Sequence, residues 1–98
     1  MATDFITDLA VHPGEFLREE LEARELTQAE LARQMDRPAE LVNAICRERK
    51  NITAATALDL EKALDIRAST WMNLQTQYEL TIERNRRAKQ EAATLSSA

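Results

Sequence analysis

The chain has one glycine, two prolines and one cysteine in 98 residues, and only four aromatic side chains. With alanine, leucine, glutamate and arginine abundant instead, it reads as all-helical, because turns and strands want other residues. The single cysteine, Cys46, excludes an internal disulfide framework and fits a reducing compartment. No run approaches the roughly 20 apolar residues of a membrane span. The opening "MATDFITDLA" lacks the basic region of a signal peptide, so a cytoplasmic location is expected. Also missing are a Ser/His/Asp set, paired metal-ligand spacing and a glycine-rich phosphate loop. Neither catalysis nor a cofactor nor a metal is expected.

What is present is a soluble composition, 44% hydrophobic and 31% charged, in one small domain plus a tail. A domain of this size buries a modest core, so a partner or a dimer interface is expected to add stability. The net charge of −4 argues against general nucleic-acid affinity, but the charge is unevenly placed. Residues 1–35 carry three basic and eight acidic side chains, a local −5. Residues 37–50 set Arg37, Arg47, Arg49 and Lys50 against Glu40 and Glu48, a local +2. From Ile82 onward, Arg84, Arg86, Arg87 and Lys89 face Glu83 and Glu91, again +2. An acidic protein can still meet DNA through such a local edge.

Patterning divides the chain into a short arm (1–11), a helical domain (12–82) and a basic, partly helical tail (83–98) expected to fray. His12-Pro13-Gly14-Glu15 opens a first helix with Phe16, Leu17 and Leu21 inward, ending near Arg24. Thr27 and Glu30 form a capping box for a second helix running to about Met35. Asp36-Arg37 turn the chain, and Pro38 starts a third helix striped by Leu41, Val42, Ile45 and Cys46. Thr53 caps a fourth helix with Ala57, Leu60 and Leu64 inward. Ser69 or Thr70 caps a fifth, whose seam is Trp71, Leu74, Tyr78 and Ile82. The tight connection between helices two and three matches a helix-turn-helix without its usual turn glycine.

Four motifs narrow this pattern: "HPGEFLREEL" at 12–21, "LTQAELARQM" at 26–35, "NITAATALDLEKAL" at 51–64 and "STWMNLQTQYEL" at 69–80. In this order and spacing, over about residues 12–80, the chain resembles the HigA family of antitoxins, also known as addiction-module antidotes. The W-x-NLQ-x-x-Y-x-L part is the most specific element. The resemblance implies a five-helix lambda-repressor-like fold with a longer C-terminal helix. It also implies a homodimeric transcriptional autorepressor that binds double-stranded operator DNA and neutralises a RelE-like, mRNA-cleaving toxin. The chain departs from the family at Glu25, Asp36, Glu48 and Asn51, where glycine is common, and at Ala39, Glu40 and Ala44, where larger polar residues are common.

In that frame Thr27 and Gln28 open the second helix, where free N–H groups suit a phosphate. Pro38, Ala39, Glu40 and Asn43 lead the third helix, which would face base edges. Ala39 suits a thymine methyl, Glu40 a cytosine amino group and Asn43 an adenine. Glu40 has a plainer reading as a carboxylate favoured at a helix N-terminus. Arg37, Arg47, Arg49 and Lys50 flank the helix where a DNA backbone would pass. Trp71, Leu74 and Tyr78 are the dimer-interface candidates, since the family's fifth helix supports dimerisation. The lone His12 reads as a helix-start residue and Cys46 as buried. Two other readings stay open: an antitoxin with weak or lost DNA binding, and a stand-alone phage-like repressor.

Overall fold

The computed structural model describes residues 9–97. Among them the chain forms five helices and no strand: α1 (Pro13–Ala23), α2 (Gln28–Met35), α3 (Ala39–Cys46), α4 (Ala54–Leu64) and α5 (Ala68–Ser97). Of the arm expected over residues 1–11, residues 1–8 lie outside the described residues. The helices close on one core. Leu17 and Leu21 of α1, Leu31 and Met35 of α2, and Val42 and Ile45 of α3 meet Ala57, Leu60 and Leu64 of α4 and Trp71 of α5. All seven inward positions expected on α3 and α4, Leu41, Val42, Ile45 and Cys46 with Ala57, Leu60 and Leu64, are buried and follow the helical period.

The start of α1 explains the only glycine. His12 caps the helix, its Nδ1 accepting from the Gly14 N–H at 2.9 Å, and Pro13 takes the first turn. Gly14 then lies against the end of α3, where a Cβ would sit 1.9 Å from the Ile45 carbonyl oxygen. The absence of a side chain sets the distance between the two helices. His12 itself is 2% exposed and meets the Tyr78 ring edge-on, with centroids 4.8 Å apart. The first helix is thereby tied to the fifth.

Helices α1, α2 and α3 all end in the same way. The Glu25 and Leu26 amides donate back to Glu22 and Leu21, those of Asp36 and Arg37 to Arg33 and Ala32, and those of Glu48 and Arg49 to Ile45 and Ala44. Each is a Schellman closure, which needs a left-handed residue, and Glu25, Asp36 and Glu48 have φ of 54°, 55° and 62°. Asp65 repeats the conformation after α4, with φ 58°. Three of the four glycine departures therefore fall on positions with positive φ. Asn51 does not.

Two boundaries differ from expectation. Pro38 precedes α3 as its cap, in an extended conformation with ψ 145°, rather than forming its first residue. Helix α5 begins at Ala68, ahead of the expected Ser69 or Thr70 cap, because the Glu61 carboxylate accepts the Ala68 N–H at 2.9 Å. The tail expected to be partly helical continues the fifth helix: α5 runs to Ser97. Its first turns beyond Ile82 are laced by Glu83, which accepts from Arg86 at 2.5 Å and Arg87 at 2.8 Å. These two guanidinium groups hold the Glu83 carboxyl down at about 2.

Two substitutions test this architecture. Gly14→Ala gains about 1 kcal/mol of helix propensity. It must nevertheless displace backbone at Ile45, a cost of about 3 kcal/mol. Thermal denaturation should show Tm lowered by roughly 8–16 °C; an unchanged Tm would show that α1 and α3 need not approach so closely. Glu25→Gly should act oppositely. It relieves about 1–2 kcal/mol of left-handed strain against somewhat less lost to backbone freedom. The same measurement should record a rise of a few degrees.

Candidate nucleic-acid interface

The N-terminal ends of α2 and α3 lie side by side on the surface. Asn43 Nδ2 donates to Gln28 Oε1 at 3.0 Å, joining the two helices at solvent. With Ala29, Ala39 and Glu40 they line a shallow concavity. The capping box is formed in both directions: Glu30 N–H donates to the Thr27 hydroxyl at 3.1 Å and Thr27 N–H to the Glu30 carboxylate at 2.9 Å. These bonds, the Thr27 backbone donor first, keep the Glu30 carboxyl below its usual range. Thr27 is thus spent on the helix end, while the Gln28 amide group and one Asn43 N–H stay available to an outside partner.

On the other flank of α3, Arg37, Pro38, Glu40, Leu41, Ala44 and Lys50 line a second concavity. Glu40 stands on the ridge between the two. The structure therefore brings Gln28, Ala39, Glu40 and Asn43 onto one face, with Arg37, Pro38 and Lys50 beside it. Arg47 and Arg49 line neither hollow and are exposed beyond the end of α3.

The cations are not equivalent. Arg37 Nη1 pairs with Asp59 of α4 at 2.7 Å, both side chains about one-third exposed. Arg18 of α1 donates to the Cys46 carbonyl and pairs with Glu48 at 3.2 Å, placing a positive charge at the negative end of α3. Among the described residues Arg47, Arg49 and Lys50 have no carboxylate partner. Sequence reading missed Arg18 and Asp59 because both belong to helices outside the helix-turn-helix pair, α1 and α4. Arg18 does stand out as the one cation before Arg24, with four acids, Glu15, Glu19, Glu20 and Glu22, around it. Burial pushes the Cys46 thiol up, so it stays protonated and serves as packing.

The expected dimer residues separate. Trp71 is 0% exposed and stacks at a tilt on Phe16 with centroids 5.2 Å apart, so its indole belongs to the protomer's own core. It has no surface to give a second copy, because an apolar ring this large is first used to close a small core. Leu74 and Tyr78 are half-buried on the same face of α5, and Ile82 continues that face at 44% exposure. Gln75 of the same motif is only 2% exposed and was given no role by the sequence. Among the described residues no helix is long and apolar enough to cross a membrane.

The helix-turn-helix family model matches residues 17–71 of this chain. Virulence-associated protein I of Dichelobacter nodosus is 43% identical over 72 residues, 72% of this chain and 67% of that protein. Among solved structures, the Pseudomonas aeruginosa antitoxin HigA with the higBA promoter superposes with a TM-score of 0.79 at 40% identity, covering 84% of this chain and 90% of that one. An addiction module antidote of the HigA family from Coxiella burnetii gives a TM-score of 0.77 at 34% identity, over 83% and 89%. By these matches, carried on the five-helix arrangement described above, the chain belongs to the HigA family of helix-turn-helix antitoxins.

Proposed function

We propose that the protein is the cytoplasmic antitoxin of a type II toxin–antitoxin module and a homodimeric repressor of its own operon. In this reading α3 enters the major groove of an operator half-site, with Ala39, Glu40 and Asn43 toward the bases and Gln28 bracing Asn43. The N-terminus of α2, at Thr27 and Gln28, lies on a phosphate, and Pro38 sets the angle at which α3 leaves the turn. Arg47, Arg49 and Lys50 grip the backbone, with Arg37 joining them through whatever donors Asp59 leaves free. The observation that carries this reading is the exposed Gln28–Asn43 pair on the face of α2 and α3, with Lys50 beside that face and Arg47 and Arg49 exposed beyond the end of α3. That the Pseudomonas aeruginosa relative was solved with promoter DNA supports binding to an operator.

The dimer rests on the outer seam of α5, Leu74, Tyr78 and Ile82. It would set the two α3 helices about 34–36 Å apart, one turn of duplex. A small RelE-like, mRNA-cleaving toxin is the second partner, a role that follows from family membership alone. Glu40 favours one narrower reading, an antitoxin that neutralises its toxin but holds DNA weakly, because an exposed carboxylate opposes any phosphate it meets.

Fluorescence anisotropy on the duplex upstream of its own gene, against scrambled DNA and over a range of salt, separates the two. The proposed reading expects clear preference for the upstream duplex. Equal, weak binding to both would leave the narrower one. Arg49→Ala with Lys50→Ala should lower operator affinity about tenfold and reduce the slope of log K against log salt by about 2. An unchanged slope would show that the backbone passes elsewhere. Ile82→Asp should shift sedimentation toward monomer and weaken operator binding with it; a dimer that survives unaltered would move the interface off this seam.

A further inference from the structure

The cations that follow α3 sit in a seven-residue connection, 47–53, whose two ends are held differently. At its start the Schellman closure and Arg18 fix Glu48 and Arg49 to α3. At its end Ile52 is 2% exposed, and its N–H donates to Gln75 Oε1 of α5 at 2.8 Å. Gln75 is itself oriented from the other side, its Nε2 donating to the Glu79 carboxylate at 2.7 Å. Between the two anchors Lys50 and Asn51 are exposed. A buried amide acceptor 23 residues away in sequence is therefore what fixes the level at which Lys50 leaves the surface.

We propose that Gln75, oriented by Glu79, is a positioning residue for DNA binding: it holds the 47–53 connection so that Arg49 and Lys50 meet the phosphate backbone together. The inference rests on the DNA-binding reading above. Its physical basis is that phosphate contacts contribute only when the charge is held at the right place, since a flexible cation loses on ordering much of what it gains. It also gives the glutamine of W-x-NLQ-x-x-Y-x-L a purpose separate from core packing. Trp71 of that motif fills the core, whereas Gln75 reaches across it to the loop.

The test uses the full chain and its upstream duplex, well below the Tm of every variant. Gln75→Leu keeps the bulk but removes the acceptor. It should speed hydrogen exchange at the Ile52 amide, lower operator affinity roughly three- to tenfold, and reduce the salt slope by about 1–2. The exchanged pair Gln75→Glu with Glu79→Gln keeps an acceptor for Ile52 and a donor at position 79, so it should restore both slope and affinity. A variant that loses stability but keeps the wild-type salt slope would overturn the inference, because a purely structural role changes Tm and not the count of phosphates met. Failure of the exchanged pair to restore the slope would overturn it as well. Absence of operator binding by the unmutated chain would instead sink the DNA-binding reading itself, and the positioning role with it.

Discussion

The end of α3 is the place on which the rest of the molecule depends. The carbonyl of Ile45 lies so near Gly14 that no side chain fits between them, and the next carbonyl, of Cys46, accepts from Arg18. One helix thus meets another through backbone on one side and a guanidinium on the other. Neither contact depends on surface complementarity that could slide by a turn. Because α1 is also tied to α5 through His12 and Tyr78, the direction of α3 is set relative to the whole bundle rather than to α2 alone. A helix that must present three or four side chains to an outside surface needs that kind of fixation.

The same region shows where stability has been given up. Four helices end on acidic residues in the left-handed conformation, Glu25, Asp36, Glu48 and Asp65. Each carries the steric cost of positive φ, and each places negative charge beside the negative end of a helix. Aspartate tolerates the conformation better than glutamate, so the costs are unequal. Glu48 alone has an evident compensation, since its carboxylate joins Arg18 and completes the capping of α3. Nothing in the structure offsets Glu25.

Much of the fold was legible because it rests on local chemistry. The Thr27–Glu30 box, the Thr53 cap and the apolar stripes of α3 and α4 are set by residues three or four apart, and all appear where the spacing predicts. Glycine is common in the resembling family at Glu25, Asp36, Glu48 and Asn51, and the first three take positive φ while Asn51 does not. What was not legible is what distant residues do for one another. Glu61 replaces a hydroxyl cap at Ala68, Asp59 occupies Arg37, and Gln75 reaches Ile52. No periodicity marks those pairs. Trp71 misled in another way: a seam on a helix says which residues share a face, not which of them the protomer itself covers. The candidate face on α2 and α3 was readable as a set of positions, but the bond that joins Gln28 to Asn43 was not.

On the proposed function, the charge pattern bears on how a thin base-reading surface can still discriminate. Of the cations around α3, Arg18 and Arg37 are neutralised by Glu48 and Asp59, which leaves Arg47, Arg49 and Lys50 against a protein of net charge −4. Beyond about 10 Å in ordinary salt such a molecule exerts no attraction on a duplex. Non-specific affinity comes almost wholly from phosphate neutralisation, so on the proposed function it is expected to be low. Specificity is a ratio, and a small denominator serves it as well as a large numerator. On the proposed function, Glu40 fits this logic: facing a cytosine amino group it accepts a hydrogen bond, and facing the acceptors of a guanine or a phosphate it repels. An exposed carboxylate at the front of α3 then acts against the wrong sequences more than it acts for the right one.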